Sequence, residues 1–208
     1  IPVATPNHTH ALMGVWAAQR GLHSYVEKPI AHDVWQGRQL VAAAEKYGVC
    51  IQTGSQCRSM QSNQEVMAYL KSGELGAIRL VRGLCYKPRG SIGKKVVSSP
   101  PSNLDWNLWR GPAQIDDFHG NYVHYNWHWY WDFGNGDIGN QGVHEMDMAR
   151  WGLGVGLPTK VMSMGGHFMF DDDQQTPNML HTAFEFPEEG KILEFEVRHW
   201  ITNHEGGF

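Results

Sequence analysis

Ile1-Pro2-Val3-Ala4-Thr5-Pro6-Asn7-His8-Thr9-His10 opens the chain, and about twenty residues further on comes Val26-Glu27-Lys28-Pro29-Ile30-Ala31. The first stretch is apolar and then turns on a proline, as a strand does when it runs out into a loop. Residues 9–20 carry Leu12, Met13, Trp16 and Ala17 at helical spacing and stop at Gly21. Residues 23–27 read as a second strand closed by Pro29. Asp33 is placed to cap a helix that reaches Tyr47 and ends at Gly48, and residues 49–53 make a third strand. Strand, helix, strand, helix, strand at this spacing predicts a parallel sheet with crossover helices. Such sheets place their ligands at the carboxyl ends of the strands, where Glu27, Lys28 and Pro29 fall. A Glu-Lys-Pro turn alone is commonly a surface ion pair on a stiff corner, so its position matters more than its composition.

Beyond Gly54 the pattern changes. A helix over residues 60–71 precedes a strand over 77–86 and a loop over 87–102 rich in Gly, Pro and Ser. An aromatic run from His119 to Phe133 follows, then a helix over 138–153. Residues 159–170, 180–186 and 191–201 read as strands separated by turn-rich segments, which predicts an antiparallel sheet. The fold class is therefore α/β plus α+β: part of a parallel sheet over residues 1–55, then an open, mostly antiparallel sheet with helices on one face over 56–208.

The 208 residues, 41% hydrophobic and 18% charged, are enough for one large or two small cores. A net charge of -4 with scattered Lys and Arg gives no electrostatic footprint for nucleic acid or an anionic membrane, and neither is expected as a partner. No apolar stretch reaches the roughly 18 residues of a spanning helix. Three cysteines without a C-x-x-C pair point to core thiols.

Three patterns bear on chemistry. Gly134-Asn135-Gly136-Asp137-Ile138-Gly139 matches G-x-G-x-x-G but lacks a preceding apolar strand and a following strand that ends in an acid, so it reads as a tight turn before a helix. Asn140, His144 and Asp147 fall at spacings of four and three on the predicted helix, near one face, and Gly142 permits close approach of another backbone. A helical histidine is ordinarily a satisfied polar residue; here its neighbours and its pKa of about 6.5 suit a general base. Tyr122, Tyr125, Trp127, Trp129, Tyr130 and Trp131 offer flat faces to a sugar ring, although packing under a loop is the commoner use. His119, His124, His128 and Asp132 are metal-ligand types, but their spacing fits no established metal pattern, and no metal is expected.

Four stretches occur in order: Ala4-Thr5-Pro6-Asn7-His8-Thr9-His10; Glu27-Lys28-Pro29; Leu104-Asp105-Trp106-Asn107-Leu108-Trp109-Arg110-Gly111-Pro112; and Gly142-x-His144-x-x-Asp147. Together they resemble the ordered motifs of the Gfo/Idh/MocA oxidoreductases across nearly the whole chain. The resemblance implies a Rossmann domain that binds NAD or NADP, followed by a substrate domain. By similarity, Thr5, Pro6, Asn7, His8, Glu27, Lys28 and Pro29 line the cofactor site, Lys28 lies beside nicotinamide and substrate, and His144 is the catalytic histidine. Trp109, Arg110 and Asp147 fall on the substrate side. Asn140 stands where many dehydrogenases of the family carry Asp, and an amide cannot supply charge to an imidazolium.

The implied activity is hydride transfer between a nicotinamide cofactor and a hydroxyl of a sugar, sugar derivative or cyclitol, with Lys28 positioning the reacting oxygen and His144 moving the proton. NAD-assisted glycoside hydrolysis or elimination is the alternative within the same fold, and a sugar-binding homologue without catalysis is the other. The open sheet leads us to expect a homo-oligomer. The family's glycine fingerprint would precede Ile1, so residues 1–208 alone are expected to be inactive and to bind NAD weakly or not at all. Micromolar binding of NAD to residues 1–208 in a calorimeter would contradict that expectation.

Overall fold

The computed structural model describes residues 1–200. In chain order its elements are β1 (Pro2–Val3), α1 (Asn7–Gln19), β2 (Ser24–Val26), α2 (Val34–Tyr47), β3 (Ile51–Thr53), a 3-10 turn (Gln56–Ser59), α3 (Gln61–Ser72) and β4 (Leu80–Tyr86). Then come α4 (Trp106–Arg110), a second 3-10 turn (Asn126–Trp129), α5 (Gly136–Asn140), α6 (Gly142–Leu153), β5 (Lys160–Gly166), β6 (Met179–Phe186) and β7 (Lys191–Arg198). None of the described helices is long and apolar enough to cross a membrane. The chain divides into two units, one made of Ile1–Ser55, Ile92–Asn140 and Asp171–Thr176, the other of Gln56–Ser91, Gln141–Phe170 and residues 177–200.

In the first unit β1, β2 and β3 pair in parallel in that order, as the strand-helix alternation predicts. The caps follow local chemistry. Asp33 Oδ1 accepts from the Gln36 amide at 2.8 Å at the start of α2, and Gly48 closes it with φ of 63°, a left-handed conformation that favours glycine. Much of the aromatic run is used as core: Tyr122, Tyr130 and Phe133 are buried with Trp106 and Phe118, Trp109 and Trp127 pack against them, and Tyr125 and Trp131 stay exposed. Trp106 stacks on Tyr122 with ring centroids 5.6 Å apart, and Phe133 meets Tyr122 edge-on at 5.0 Å. His119 lies against Tyr122 and His128 against Trp127, with centroids 3.8 and 3.6 Å apart. Among the described residues no three His, Cys, Asp or Glu side chains gather as a metal site.

In the run Asp171-Asp172-Asp173, acidic enough to suggest a solvated turn, Asp171 is exposed but Asp172 and Asp173 staple this unit. Asp172 Oδ2 accepts from the Ile92 amide at 2.9 Å, and Asp173 Oδ2 accepts from the Lys95 amide at 2.8 Å and from Asn121 Nδ2 at 3.1 Å. The glycine-rich stretch has packing reasons of its own. A Cβ on Gly134 would lie 2.7 Å from the His128 backbone, and one on Gly136 2.8 Å from the Thr176 side chain.

The second unit is a four-stranded sheet in the order β4-β7-β6-β5, parallel at β4-β7 and antiparallel at the other two pairings. One face carries Leu193 and Phe195 toward α6, whose Ala149 and Leu153 are buried with Val155, Phe186 and Leu193. The other face holds a charge lattice. Arg82 reaches Glu194 at 3.0 Å and Glu196 at 3.2 Å, Tyr86 Oη donates to Glu196 at 2.6 Å, and Arg198 pairs with Glu196. The third expected strand ran to Ile201; that end lies outside the described residues.

The expected single helix over 138–153 is instead two, α5 ending at Asn140 and α6 beginning at Gly142. Glycine costs about 1 kcal/mol relative to alanine in a helix interior, and Gly139 and Gly142 bracket the break. Both are needed for close approach, since a Cβ would lie 2.3 Å from the Asn135 side chain at Gly139 and 2.6 Å from the Phe195 ring at Gly142. Gly142→Ala should therefore destabilise the protein by about 1–3 kcal/mol through overpacking against Phe195. Urea unfolding measures the loss, and an unchanged midpoint would show that the ring moves aside freely.

Candidate active site

The three parallel strands end on one edge in three short segments: Thr5-Pro6-Asn7 after β1, Glu27-Lys28-Pro29 after β2, and Gly54 after β3. His10 ties the first two. Its ring, 1% exposed, sets Nδ1 2.7 Å from the Pro29 carbonyl oxygen and Nε2 2.6 Å from that of Thr5. Thr9 Oγ1 donates to Thr5 Oγ1 at 2.7 Å and tightens the first turn. Glu27 is held by its own backbone, its Oε2 accepting from the Lys28 amide at 3.2 Å. A Cβ on Gly54 would stand 2.7 Å from Glu27 Oε2, so the Glu27 carboxylate packs directly against the backbone there.

Lys28, whose bond to Pro29 is cis, is the residue most firmly placed. Its Nζ donates to the Asn140 backbone oxygen at 2.6 Å and to Asn140 Oδ1 at 2.8 Å. The C-terminal carbonyl of α5 is one that a helix leaves unsatisfied, and it carries the negative end of the helix dipole, so a lysine is a fitting partner. Asn140, expected to act with His144 along one helix face, is thus joined to Lys28 and ends α5. His144 belongs to α6 in the other unit.

Asn7 and His8 are buried at the start of α1. Asn7 Nδ2 donates to Asn135 Oδ1 at 3.1 Å, Asn135 Nδ2 donates to the His32 carbonyl at 2.9 Å, and the His8 amide donates to the Phe133 carbonyl at 3.3 Å. Asn135 and His32 escaped the sequence reading. Asn135 was in view only as a variable position inside the rejected glycine motif, and nothing local marks His32. The His8 ring packs edge-on to Phe133 at 5.1 Å and tilted against Trp109 at 5.7 Å. Its Nε2 is 3.3 Å from the Trp109 carbonyl oxygen, which can only accept, so Nε2 carries the hydrogen and the buried Nδ1 is an acceptor with no protein donor. Burial drives the imidazole pKa down to about 4; nearby His32 adds to this, while the Trp109 carbonyl opposes it.

Trp109 is packed in the aromatic core, stacked on Trp106 at 5.4 Å. Arg110 Nη1 donates to the Ile115 carbonyl at 3.0 Å and to Asp116 at 2.8 Å, bracing its own loop. In the second unit, His144 lines an open cleft of about 750 Å³ with Gln56, Cys57, Met67, Leu84, Glu145 and Met148. Asp147 gives both oxygens to Arg58, at 2.7 and 2.8 Å. Arg58 also escaped the sequence reading, because it lies 89 residues from its partner.

Strands that end together in a Thr-Pro-Asn turn, a Glu-Lys-Pro turn and a close-approach glycine, with an orphaned acceptor on His8, fit the nicotinamide half of a dinucleotide site. That class of protein is a dinucleotide-binding oxidoreductase. Residues 1–55 match the model of an oxidoreductase family's NAD-binding Rossmann fold, and residues 79–178 match the same family's C-terminal alpha/beta domain. The chain belongs to the Gfo/Idh/MocA oxidoreductase family. It is 24% identical over 154 residues to levoglucosan dehydrogenase of Pseudarthrobacter phenanthrenivorans, covering 74% of this chain and 33% of that one. Among solved structures it is similar to the WlbA dehydrogenase of Bordetella pertussis in complex with NADH and UDP-GlcNAcA, with TM-score 0.70, 21% identity and coverage of 97% and 53%. It is also similar to an aldose-aldose oxidoreductase from Caulobacter crescentus, with TM-score 0.74, 20% identity and coverage of 96% and 50%. The chain thus spans about a third of that curated relative and about half of these solved structures.

His8 makes the fold sensitive to acid. Between about pH 4 and its ordinary value of 6.5, the unfolded imidazole takes a proton that the folded one refuses, so stability falls as pH drops through that window. The loss from this one group should reach about 3 kcal/mol. Urea unfolding at pH 7 and pH 4.5 should show a steep loss in the native protein and a shallower one in His8→Gln; equal slopes would mean that His8 titrates normally in the fold.

Proposed function

We propose that the protein, as part of a longer enzyme, transfers hydride between NAD or NADP and a secondary hydroxyl of a sugar, sugar derivative or cyclitol. The observation that carries this reading is the double grip of Asn140 on the Lys28 ammonium at the carboxyl edge of a parallel sheet. A lysine in solvent samples many rotamers; one fixed by two oxygens of a neighbouring helix end is set for a single task. The sugar substrates named for the related dehydrogenases support the substrate class.

In this reading Thr5, Pro6, Asn7, His8, Glu27, Lys28 and Pro29 form the nicotinamide side of the cofactor site, with the uncharged His8 Nδ1 as an acceptor. The cofactor, when bound, accepts or returns the hydride. Lys28 holds the substrate oxygen and stabilises the negative charge that grows on it, while Asn140 fixes the ammonium and leaves its charge intact. His144 takes the hydroxyl proton as general base. Trp109 and Arg110 stiffen the loop that borders the cofactor-side turns and act through it. Asp147, whose acceptors Arg58 occupies, serves α6 in place of direct contact with substrate.

The test uses the full-length enzyme with a panel of sugars and polyols, following reduced nicotinamide by absorbance. Lys28→Ala and His144→Ala should each lower kcat by about 100-fold to 10,000-fold with little change in KM for NAD. Asn140→Asp sets a carboxylate against the ammonium, which should favour the charged lysine and extend activity to higher pH. Near-normal turnover in both alanine variants would overturn the assignment, and sugar cleavage without release of reduced cofactor would replace the dehydrogenase reading with hydrolysis.

A further inference from the structure

We infer that Arg58 is a positioning residue for His144: by gripping Asp147 it fixes α6 and neutralises the carboxylate one turn along the helix, so that the imidazole stays available as a proton acceptor. The inference rests on the reading of His144 as the base and concerns what keeps it in working form.

Arg58 Nε donates to Asp147 Oδ2 at 2.7 Å and Nη2 to Oδ1 at 2.8 Å, a fork-on-fork pairing that lysine cannot reproduce. The same guanidinium lies over the Trp151 ring, 5.0 Å from its centroid, so it spans one turn of α6 from Asp147 to Trp151. Its own backbone is tethered, since Gln64 Nε2 donates to the Arg58 carbonyl at 3.0 Å and Asn63 Nδ2 to that of Cys57 at 2.8 Å. Cys57 and His144 line the same cleft. The bond to Asp147 holds the guanidinium pKa above its ordinary value, and an arginine is charged at any working pH.

Side chains three residues apart on a helix have Cβ atoms about 5–6 Å apart, so Asp147 is a close charge for His144. A bare carboxylate at that range favours imidazolium and would withdraw the base. Of the other ionisable groups on α6 and the elements packed against it, Glu145 keeps a buried Oε2 without a hydrogen-bond partner and lines the cleft with His144, and the rest are engaged elsewhere. Glu145 Oε1 accepts from Gln141 at 2.6 Å, and Arg150 Nε donates to the Gly156 carbonyl at 2.8 Å. Lys71 of α3 lies over Trp151, Arg82 of β4 pairs with Glu194 and Glu196, and Lys191 of β7 donates to the Leu153 carbonyl at 2.6 Å. The Arg58–Asp147 pair is also partly exposed, the two side chains at 45% and 25%, so it adds little to stability and its variants should fold.

The experiment is an NMR titration of the His144 imidazole, assigned by its loss in His144→Gln, in the native protein, Arg58→Gln, Asp147→Asn and the double variant. Arg58→Gln should raise the midpoint by about 0.5–1 pH unit, Asp147→Asn should lower it, and the double variant should return close to native. Arg58→Lys, which keeps the charge but loses the fork, should fall between native and Arg58→Gln. No shift in Arg58→Gln, or a double variant that keeps the raised midpoint of Arg58→Gln, would overturn the inference. The pH dependence of kcat/KM in the full-length enzyme separates this from the underlying reading. If the NMR midpoint rises and the acidic limb of the rate profile rises with it, both stand. If only the NMR midpoint moves, Arg58 controls His144 but His144 is not the base.

Discussion

A single ammonium group, bound to the last carbonyl and the side-chain oxygen of a five-residue helix, sets the geometry on which the cofactor edge depends. To present those two oxygens, α5 must stop at Asn140. To stop there, the chain spends two glycines that would weaken a continuous helix, and each glycine is in turn required by a neighbouring side chain. The same segment reaches back through Asn135 to Asn7 and to the His32 carbonyl, so the turns after β1 and β2 share one support. Behind that support lies the aromatic core around Phe133, whose carbonyl accepts from the His8 amide. Rings packed at about 5 Å give stiffness, and stiffness lets a charged side chain be aimed.

Charge at the two candidate reacting groups is handled in opposite ways. Lys28 is given oxygen acceptors that preserve its charge without cancelling it. Asp147, one turn from His144, is paired with a guanidinium on both oxygens. His8 is kept neutral chiefly by burial, with His32 adding to it. All three outcomes follow from ordinary rules about desolvation and pairing.

Much of this was legible in the sequence where the cause is local. Alternation of short strands and helices, Asp33 before α2 and Gly48 after it, and the four ordered motifs all carry their reasons within a few residues. The break at Gln141 was hidden because glycine reads the same whether it is there for flexibility or for a ring 53 positions away, as Phe195 is from Gly142. Pairing of β4 with β7 joins residues more than a hundred positions apart, and periodicity is blind to partners. Asp172 and Asp173 looked like solvent-facing acids because composition cannot tell a carboxylate in water from one capping distant amides. Arg58 and His32 had no local pattern at all; their meaning comes entirely from what the fold brings to them.

The division of the chain bears on how the protein is made. The polypeptide passes from one unit to the other after residues 55, 91, 140, 170 and 176, so neither unit is a continuous stretch. Asp172 and Asp173, which pin residues 92–95, leave the ribosome almost eighty residues after the segment they hold. During synthesis the parallel strands and α1 emerge long before the aromatic core that supports them, and the Trp and Tyr of that core emerge before residues 171–176 complete the unit. Completion of the first unit thus waits on Thr176, and a stalled or truncated product ending earlier would present those rings to chaperones or to other copies of itself.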